Sequence, residues 1–303
     1  MPTFSKISIS LATITSLILL TLPAETLAEQ ESTASKSGEP ARMKPATEWS
    51  SQFTFGYLPS ADLRERGDSA AIADYRLRAG RTIPVNSSTS LTIGGGYGLK
   101  SIDAPAAAAL PGTLHSVVLE TGVSYRINER SFANLKLFPG LYSDFKDLTG
   151  DDVKMPLLAL GGYTFDNGLT LTGGFIYRFG YHSMQFLPIL GVSYQPGPQW
   201  RIDIVAPRPG VTYMHSRNLN LFLAGDFASD EYGIHDSTVS AGALKYRDYK
   251  VLCGVEYLPA AGTKVAVSTG YAFDRSIEFY DSSRPSIRLD NVPFVKLSLD
   301  LAW

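Results

Sequence analysis

The end of the chain carries the most constraining pattern in the sequence. From Val295 to Trp303, apolar residues alternate without a break with polar or small ones. Successive side chains of a β-strand point to opposite faces, so this alternation predicts a strand with one apolar and one polar face. A strand at the end of a chain needs partners for its backbone groups, and we therefore expect it to close a sheet. Its apolar face carries Val295, Leu297, Leu299, Leu301 and Trp303.

The same alternation recurs in about fourteen segments, most of them long enough to cross a bilayer as tilted strands of roughly 9–11 residues. The one helix-like patch, 106–110, is too short to form a separate helical element. The pattern predicts an all-β fold, an antiparallel transmembrane β-barrel of about fourteen strands. The segments are 49–57, 75–83, 91–99, 117–127, 133–141, 157–165, 169–179, 190–194, 200–204, 211–213, 219–227, 251–257, 265–273 and 295–303.

Short turns and long polar loops alternate between these segments. This rhythm is typical of bacterial barrels, which have short turns on the periplasmic side and long loops outside, and it predicts that both termini lie on the turn side. The short connections are 84–86, 128–130, 166–168, 196–198, 216–218 and 259–262. The expected long loops are 59–71, 100–112, 143–153, 229–243 and 281–290.

One junction departs from this rhythm. Pro207-Arg208-Pro209-Gly210 stands where a long loop is expected, and the alternating segments around it are the shortest. Proline cannot donate to a ladder and often marks a kink or bulge in a strand. If this stretch is a kink rather than a connection, the strand count falls to twelve.

The beginning of the chain has the layout of an export signal. Lys6 precedes an apolar stretch from Ile7 to Leu22, and Thr26-Leu27-Ala28 forms a small-x-small cleavage site. The uninterrupted apolar core is shorter than the ~20 residues of a membrane-spanning helix. We therefore expect a signal peptide over 1–28, a disordered leader over 29–47 and the barrel over 48–303.

Charge and cysteine usage narrow the function classes. The formal net charge of −2 gives no concentrated basic surface for phosphates, so nucleic acid is not an expected partner. Cys253 is the single cysteine, which excludes an internal disulfide. The aspartates between Asp144 and Asp152 do not have the spacing of a calcium loop. We expect no metal and no cofactor.

Three His-Ser pairs, at 115–116, 182–183 and 215–216, raise the question of an outer-membrane lipid hydrolase. Adjacent residues in a strand point to opposite faces, so a His cannot serve as the base for the Ser beside it. The sequence also lacks a Gly-x-Ser-x-Gly nucleophile elbow. We therefore predict no catalytic residues and no enzyme activity.

Charged residues occupy the strand faces opposite the apolar stripes. If it faced lipid near the midplane, each Arg or Lys would cost roughly 2–4 kcal/mol and each Asp or Glu less, so we expect these residues to point into the lumen. Their mixed signs allow either pairing across a narrow lumen or the lining of a water-filled pore. In an open pore, Arg76 and Arg78 would favour anions slightly. The predicted lumen-lining residues are Arg76, Arg78, Glu120, Arg126, Lys136, Arg178, Arg201, Asp203 and Glu256.

The export signal, the alternating strands and the terminal aromatic together resemble the Gram-negative outer-membrane β-barrels. The resemblance implies that the last strand, through Leu297, Leu299, Leu301 and Trp303, is read by the barrel-insertion machinery. Three other segments resemble an uncharacterised family of such barrels, a domain of unknown function that implies no site residues. They are Pro207-x-Pro209-Gly210-x-x-Tyr213, Lys245–Tyr249 and Gly270–Arg275.

These features lead to one main functional hypothesis and two alternatives. The main hypothesis is a passive pore for small solutes, with a mixed-charge lumen, in the outer membrane of a Gram-negative bacterium. The first alternative is a non-conducting barrel whose outer loops bind ligands or partners, and the weaker one is a lipid hydrolase. The expected partners are outer-membrane lipid and the insertion machinery. The sequence leaves the solute and the oligomeric state open.

Overall fold

The computed structural model of the protein describes residues 48–64, 67–205 and 208–303, so the predicted signal peptide and leader lie outside the described residues. Sixteen β-strands and two 3₁₀ turns, Ala106–Ala108 and Gly150–Asp152, make up the described part. The strands are β1 Glu48–Leu63, β2 Asp68–Pro84, β3 Thr89–Asp103, β4 Thr113–Arg126, β5 Ser131–Leu137, β6 Gly140–Ser143, β7 Val153–Thr164, β8 Thr170–Phe179, β9 Phe186–Gly197, β10 Trp200–Val205, β11 Gly210–Met214, β12 Leu219–Gly233, β13 Ala243–Ala260, β14 Thr263–Tyr280, β15 Ile287–Leu289 and β16 Val292–Ala302.

These strands form one closed antiparallel barrel. β5 and β6 both pair with β4 and β7, so they are the two halves of one kinked barrel strand interrupted at Phe138-Pro139. β15 and β16 likewise both pair with β14 and β1. With each pair counted once, the barrel has 14 strands, as the sequence predicts. The twelve-strand alternative is wrong, because β10 and β11 are separate strands that pair in register from Trp200↔Tyr213.

The terminal strand closes the barrel, as expected from its alternation. β16 lies between β14 and β1, and Leu299 is opposite Val265 on one side and Phe53 on the other. The N–H of Trp49 donates to the carbonyl of Trp303, and the N–H of Trp303 donates to the carbonyl of Trp49. Both described ends of the barrel therefore meet on the side of the short turns.

The outer surface of the barrel is apolar. Outward side chains such as Ile93 and Leu223 are 56% and 55% exposed, while the polar residues of the opposite parity face the inside. Lipid rather than water solvates such a band, and aromatic rims on both edges are typical of it. The turn-side rim includes Trp49, Tyr125, Tyr163, Trp200 and Tyr257, and the loop-side rim includes Tyr57, Phe179, Phe227 and Tyr271. No described helix is long and apolar enough to cross a membrane.

Several expected long loops are shorter than predicted. β1 continues to Leu63 and β2 begins at Asp68, so most of the predicted loop 59–71 is a strand hairpin. β12 likewise runs to Gly233 through part of the predicted loop 229–243. Beyond the membrane a strand needs no apolar outer face, so its sequence loses the alternation by which it can be recognised.

The loop side of the barrel is narrower than the turn side. β10 and β11 have only 6 and 5 residues, whereas β12 has 15 and β13 has 18. Above the short strands, β12 leans across to β6, where Gly233 forms a parallel bridge with Ser143 and its carbonyl accepts the N–H of Asp144 at 3.1 Å. The outer ends of β1–β4, β6 and β12–β15 thus form a smaller ring.

Apolar side chains and loops fill this smaller ring. We call the ring together with the loops 104–112, 144–152, 234–242 and 281–286 the cap. Its core is continuous with the rest of the buried apolar cluster. The buried cap residues include Leu63, Ile102, Leu114, Tyr142, Tyr232, Val239, Leu244, Ile277, Phe279 and Leu289.

Truncating the cap core should destabilise the barrel. Leu244 is fully buried, so Leu244→Ala is expected to lower the free energy of unfolding by about 2–5 kcal/mol through lost burial and the remaining cavity. Urea unfolding in detergent micelles measures this change. Val85→Ala, at an exposed turn position, is the control and should change stability little. Equal effects of the two variants would show that the cap is not packed as described.

Candidate functional site

The turn-side part of the lumen holds a cavity of about 150 Å³. Arg201 and Asp203, on the inward face of β10, line it with side chains that are 25% and 28% exposed, and the Arg201 Nε lies 2.7 Å from the Asp203 Oδ2. Solvent therefore reaches into this part of the barrel, which we call the vestibule. Its other charged lining residues are Arg208, Glu256, Lys264 and Lys296.

Ion pairs connect neighbouring strands around the vestibule. The Lys264 Nζ lies 3.0 Å from the Asp300 Oδ2 and 3.5 Å from the Glu256 Oε1, which links β14 to β16 and β13. The Arg208 Nη2 lies 3.1 Å from the Asp226 Oδ2. Each cation that lines the vestibule thus has a carboxylate within 4 Å.

Above the vestibule, a polar layer crosses the centre of the lumen. Arg76 makes two hydrogen bonds of 2.9 Å to Asp74, whose Oδ2 also accepts the Lys100 Nζ at 2.6 Å. The Arg76 Nη2 lies 3.6 Å from the Asp230 Oδ2 on β12, so this pair reaches across the lumen rather than along one sheet edge. A cavity of about 30 Å³, enough for roughly one or two waters, lies here and shares Lys296 with the vestibule.

A buried ion pair holds β12 against the opposite wall at the base of the cap. The Lys154 Nζ on β7 lies 3.3 Å from the Glu231 Oε1, and both side chains are 1% exposed. Lys154 also donates to the Gly180 carbonyl at 2.6 Å, and the His182 Nδ1 lies 2.7 Å from Glu231. Side chains here replace the backbone ladder that β10 and β11 are too short to provide.

A second cluster joins two of the outer loops. The His235 Nε2 lies 3.0 Å from the Oδ2 of the fully buried Asp152. The Asp144 Oδ2 accepts the N–H groups of His235 and Asp236 at 3.0 and 2.8 Å. The pKa of Asp236 is lowered because its carboxylate accepts the hydroxyl and the N–H of Thr238. These contacts hold loops 144–152 and 234–242 together.

One arginine ties three loops over the outer end. The Arg284 guanidinium donates to the carbonyls of Ala108, Ala109 and Val239 at 2.5, 2.6 and 2.9 Å. Its central carbon lies 4.0 Å from the centre of the Phe279 ring. The cap is therefore a packed structure and not a set of independent loops.

The nine residues predicted to line the lumen do not form a single ring. Arg201, Asp203 and Glu256 lie at the vestibule, and Arg76 lies in the polar layer. Glu120 and Lys136 form a buried pair at 2.9 Å on neighbouring strands. The remaining three are Arg78, which is buried, Arg126, which is half-buried at the turn end of β4, and Arg178, which donates to the Ser229 carbonyl of β12 at 3.0 Å.

Other members of the site were missed from the sequence. Asp226 has the parity of an inward residue in the segment 219–227, so its position could have been inferred. Lys154 lies between the expected loop 143–153 and the alternating segment 157–165, and Glu231 lies within the expected loop 229–243. No sequence pattern marks either residue as inward-facing or the two as partners.

In two of the three His-Ser pairs, 115–116 and 182–183, the His has partners other than the adjacent Ser. His115 faces outward and its Nδ1 lies 2.7 Å from the Tyr97 hydroxyl, while Ser116 is buried on the inward face. His182 contacts the carboxylates Glu231 and Asp281. Within the described ranges, no group of three or more His, Cys, Asp or Glu side chains could hold a metal ion.

Comparison with known proteins identifies a family. Residues 85–287 match the family described as Domain of unknown function (DUF6268). The chain belongs to this family. No curated protein matches the sequence.

Solved structures of membrane barrels are similar to this chain at low sequence identity. The outer membrane channel COG4313 of Pseudomonas putida F1 is 14% identical, with 88% of this chain and 99% of that chain covered and a TM-score of 0.47. The Pseudomonas putida toluene transporter TodX is 10% identical over 88% of this chain and 93% of that chain, with a TM-score of 0.37. Similarity this remote says nothing about function.

The buried pair at the base of the cap allows a double-mutant test. Glu231→Ala leaves the Lys154 charge buried without this partner, so we expect it to lower the free energy of unfolding by about 3–5 kcal/mol. Glu231→Leu combined with Lys154→Met should recover most of that loss, because no buried charge remains. Urea unfolding in micelles measures both variants.

Asp166→Ala is the matched control for this cycle. This variant removes the ion pair between Arg130 and Asp166. Their side chains are 51% and 80% exposed, so the free energy of unfolding should hardly change. If Glu231→Ala were as mild as Asp166→Ala, the buried pair would contribute nothing to holding the cap.

Proposed function

We propose that this protein is an outer-membrane channel for small polar solutes that is closed at its outer end in the described state. The observation that carries the proposal is the solvent-exposed, charged vestibule, which meets the polar layer at Lys296 and ends beneath the cap. A barrel with a purely structural role could fill its interior with apolar side chains, and buried ion pairs are often no more stable than such a filling. Charges retained along one half of the lumen therefore favour passage of polar solutes.

The charge pattern favours weak ion selectivity. Four cationic side chains of the vestibule, Arg201, Arg208, Lys264 and Lys296, lie beside four carboxylates, Asp203, Asp226, Glu256 and Asp300. The guanidinium of Arg76 is compensated by Asp74 and Asp230. The anion preference expected from Arg76 is accordingly reduced, and the proposed solutes are small polar molecules of either charge.

An outer-membrane location follows from the same proposal. In hydrocarbon every backbone polar group must be paired, and a closed barrel meets this requirement with strands. The apolar band between two aromatic rims supports insertion in a bilayer, and the export signal predicted at 1–28 supports the outer membrane. We further propose that the outer-membrane insertion machinery recognises the last strand. The residues it would recognise are Leu297, Leu299, Leu301 and Trp303.

Conductance in planar lipid bilayers tests the proposal. Refolded wild-type protein, verified by a heat-dependent gel shift, should give little steady current because the cap blocks the lumen. The variant Lys154→Ala/Glu231→Ala/Arg284→Ala loses the ties between β7, β12 and three loops, and we expect stepwise currents from it. Asp166→Ala is the control and should behave like wild type.

The outcome separates the two main hypotheses. Limited proteolysis of the outer loops shows whether the triple variant has a loosened cap. Silence from a folded variant with protease-sensitive loops would contradict a channel and favour the non-conducting barrel. The cap, in which Arg284 fixes three loops as one outer surface, is the observation that supports that alternative.

Selectivity of the opened variant depends on the vestibule. Adding Arg201→Glu to the triple variant places a second carboxylate next to Asp203, so the reversal potential in a salt gradient should move toward cations. Arg130→Glu, at an exposed turn, is the control and should shift the reversal potential less. An unchanged reversal potential in the Arg201 variant would exclude the vestibule from the ion path.

A further inference from the structure

The tip of loop 144–152 turns outward, away from the cap that its ends help to form. Phe145 has a positive φ of 56°, and its ring stacks on the His115 ring at 5.0 Å between ring centres. His115 is itself bound to the Tyr97 hydroxyl, and both residues face outward from β4 and β3. The loop tip therefore lies against the outer wall of the barrel.

The two ends of this loop are fixed. Asp144 is buried and holds the N–H groups of His235 and Asp236. Asp152 is fully buried, and its Oδ2 accepts the N–H of Thr149 at 2.7 Å. Because Asp144 and Asp152 are both fixed inside the cap, the tip between them is restricted to its outward orientation.

The height of His115 places the tip at the edge of the apolar band. Tyr125 belongs to the turn-side rim of the same strand, about ten residues away, or roughly 33 Å along a strand. At a tilt of about 40° this corresponds to roughly 25 Å across the membrane, the usual height of the lipid-facing band. His115 and the Phe145 ring on it thus lie where the hydrocarbon meets the outer headgroups.

The tip exposes apolar side chains at this level. Phe145 and Leu148 are 37% and 50% exposed, and the outward Val153 at the start of β7 is 48% exposed. The two residues between them, Lys146 and Asp147, are exposed as well, and the Asp147 carboxylate accepts the N–H of Leu148. Apolar side chains combined with a cation on one edge are the features of interfacial membrane contacts.

We propose that the segment Phe145–Leu148 rests on the outer leaflet, with Phe145 and Leu148 among the upper acyl groups and Lys146 at the headgroup phosphates. The lipid surface is the occupant because the exposed patch is continuous with the lipid-facing wall through His115, Tyr97 and Val153. This contact ties the cap to the membrane. It does not depend on whether the barrel conducts.

Spin-label accessibility in liposomes tests this contact. Cys253→Ser removes the exposed native thiol, and Leu148→Cys then carries a nitroxide at the loop tip. Ser237→Cys, exposed on loop 234–242, is the matched control on the aqueous part of the cap. A heat-dependent gel shift confirms that each labelled protein is folded.

At position 148, the nitroxide should collide more with oxygen, which partitions into lipid, than with a water-soluble nickel chelate. At position 237 the order should be reversed. Labels at both positions that are equally accessible to the nickel chelate would overturn the proposal, because the loop tip would then lie in water. A tip label shielded from both reagents would also overturn it, since the segment would then be packed against protein.

Discussion

The requirement that every backbone polar group be paired within the membrane governs this structure. A strand that faces hydrocarbon on an open edge would leave a row of N–H and C=O groups without partners, so the sheet must close. Closure is achieved where β16 lies between β14 and β1. Once the sheet is closed, the period of two divides each strand into a lipid-facing and an inward-facing set, and the charged residues have only the inside available.

Charges confined to the inside must then be neutralised by one another. Pairs on one strand or on neighbouring strands, such as Arg201 with Asp203 or Lys136 with Glu120, satisfy this locally. Other pairs, such as Arg76 with Asp230 and Lys154 with Glu231, need opposite walls to approach each other. The short strands β10 and β11 permit that approach. The pairing of β11 with β12 ends at Ala224, so the loop-side half of β12 can lean onto β6. The narrow cap is the consequence.

Much of this architecture could be predicted from the sequence, and the reason is physical. Lipid imposes a period of two on residues such as Leu219–Phe227, so the number of strands and the closing role of the last strand could be predicted. The cap could not be predicted from the sequence. Lys154 and Glu231 lie outside the lipid band, where no alternation is imposed, and parity assigns a residue to a face without saying which residue it meets across the lumen. The vestibule was predicted only as separate charged residues, since its shape depends on the lengths of β10 and β11.

The way β12 is held determines where the cap is weakest. On one side, β12 is joined to β13 by a continuous ladder from Leu219↔Tyr257 to Gly233↔Ala243. On the other side, between the bond from the Gly225 N–H to the Pro209 carbonyl and the backbone bridge from Gly233 to β6, the described contacts are made by side chains: Arg178 to the Ser229 carbonyl and Lys154 to Glu231. A ladder breaks cooperatively and exposes many backbone groups, whereas these few side-chain contacts can break one at a time, and water can solvate the separated groups as the seam opens. An opening movement therefore costs least along the seam between β12 and β7–β8, and this seam lies directly above the polar layer that continues from the vestibule.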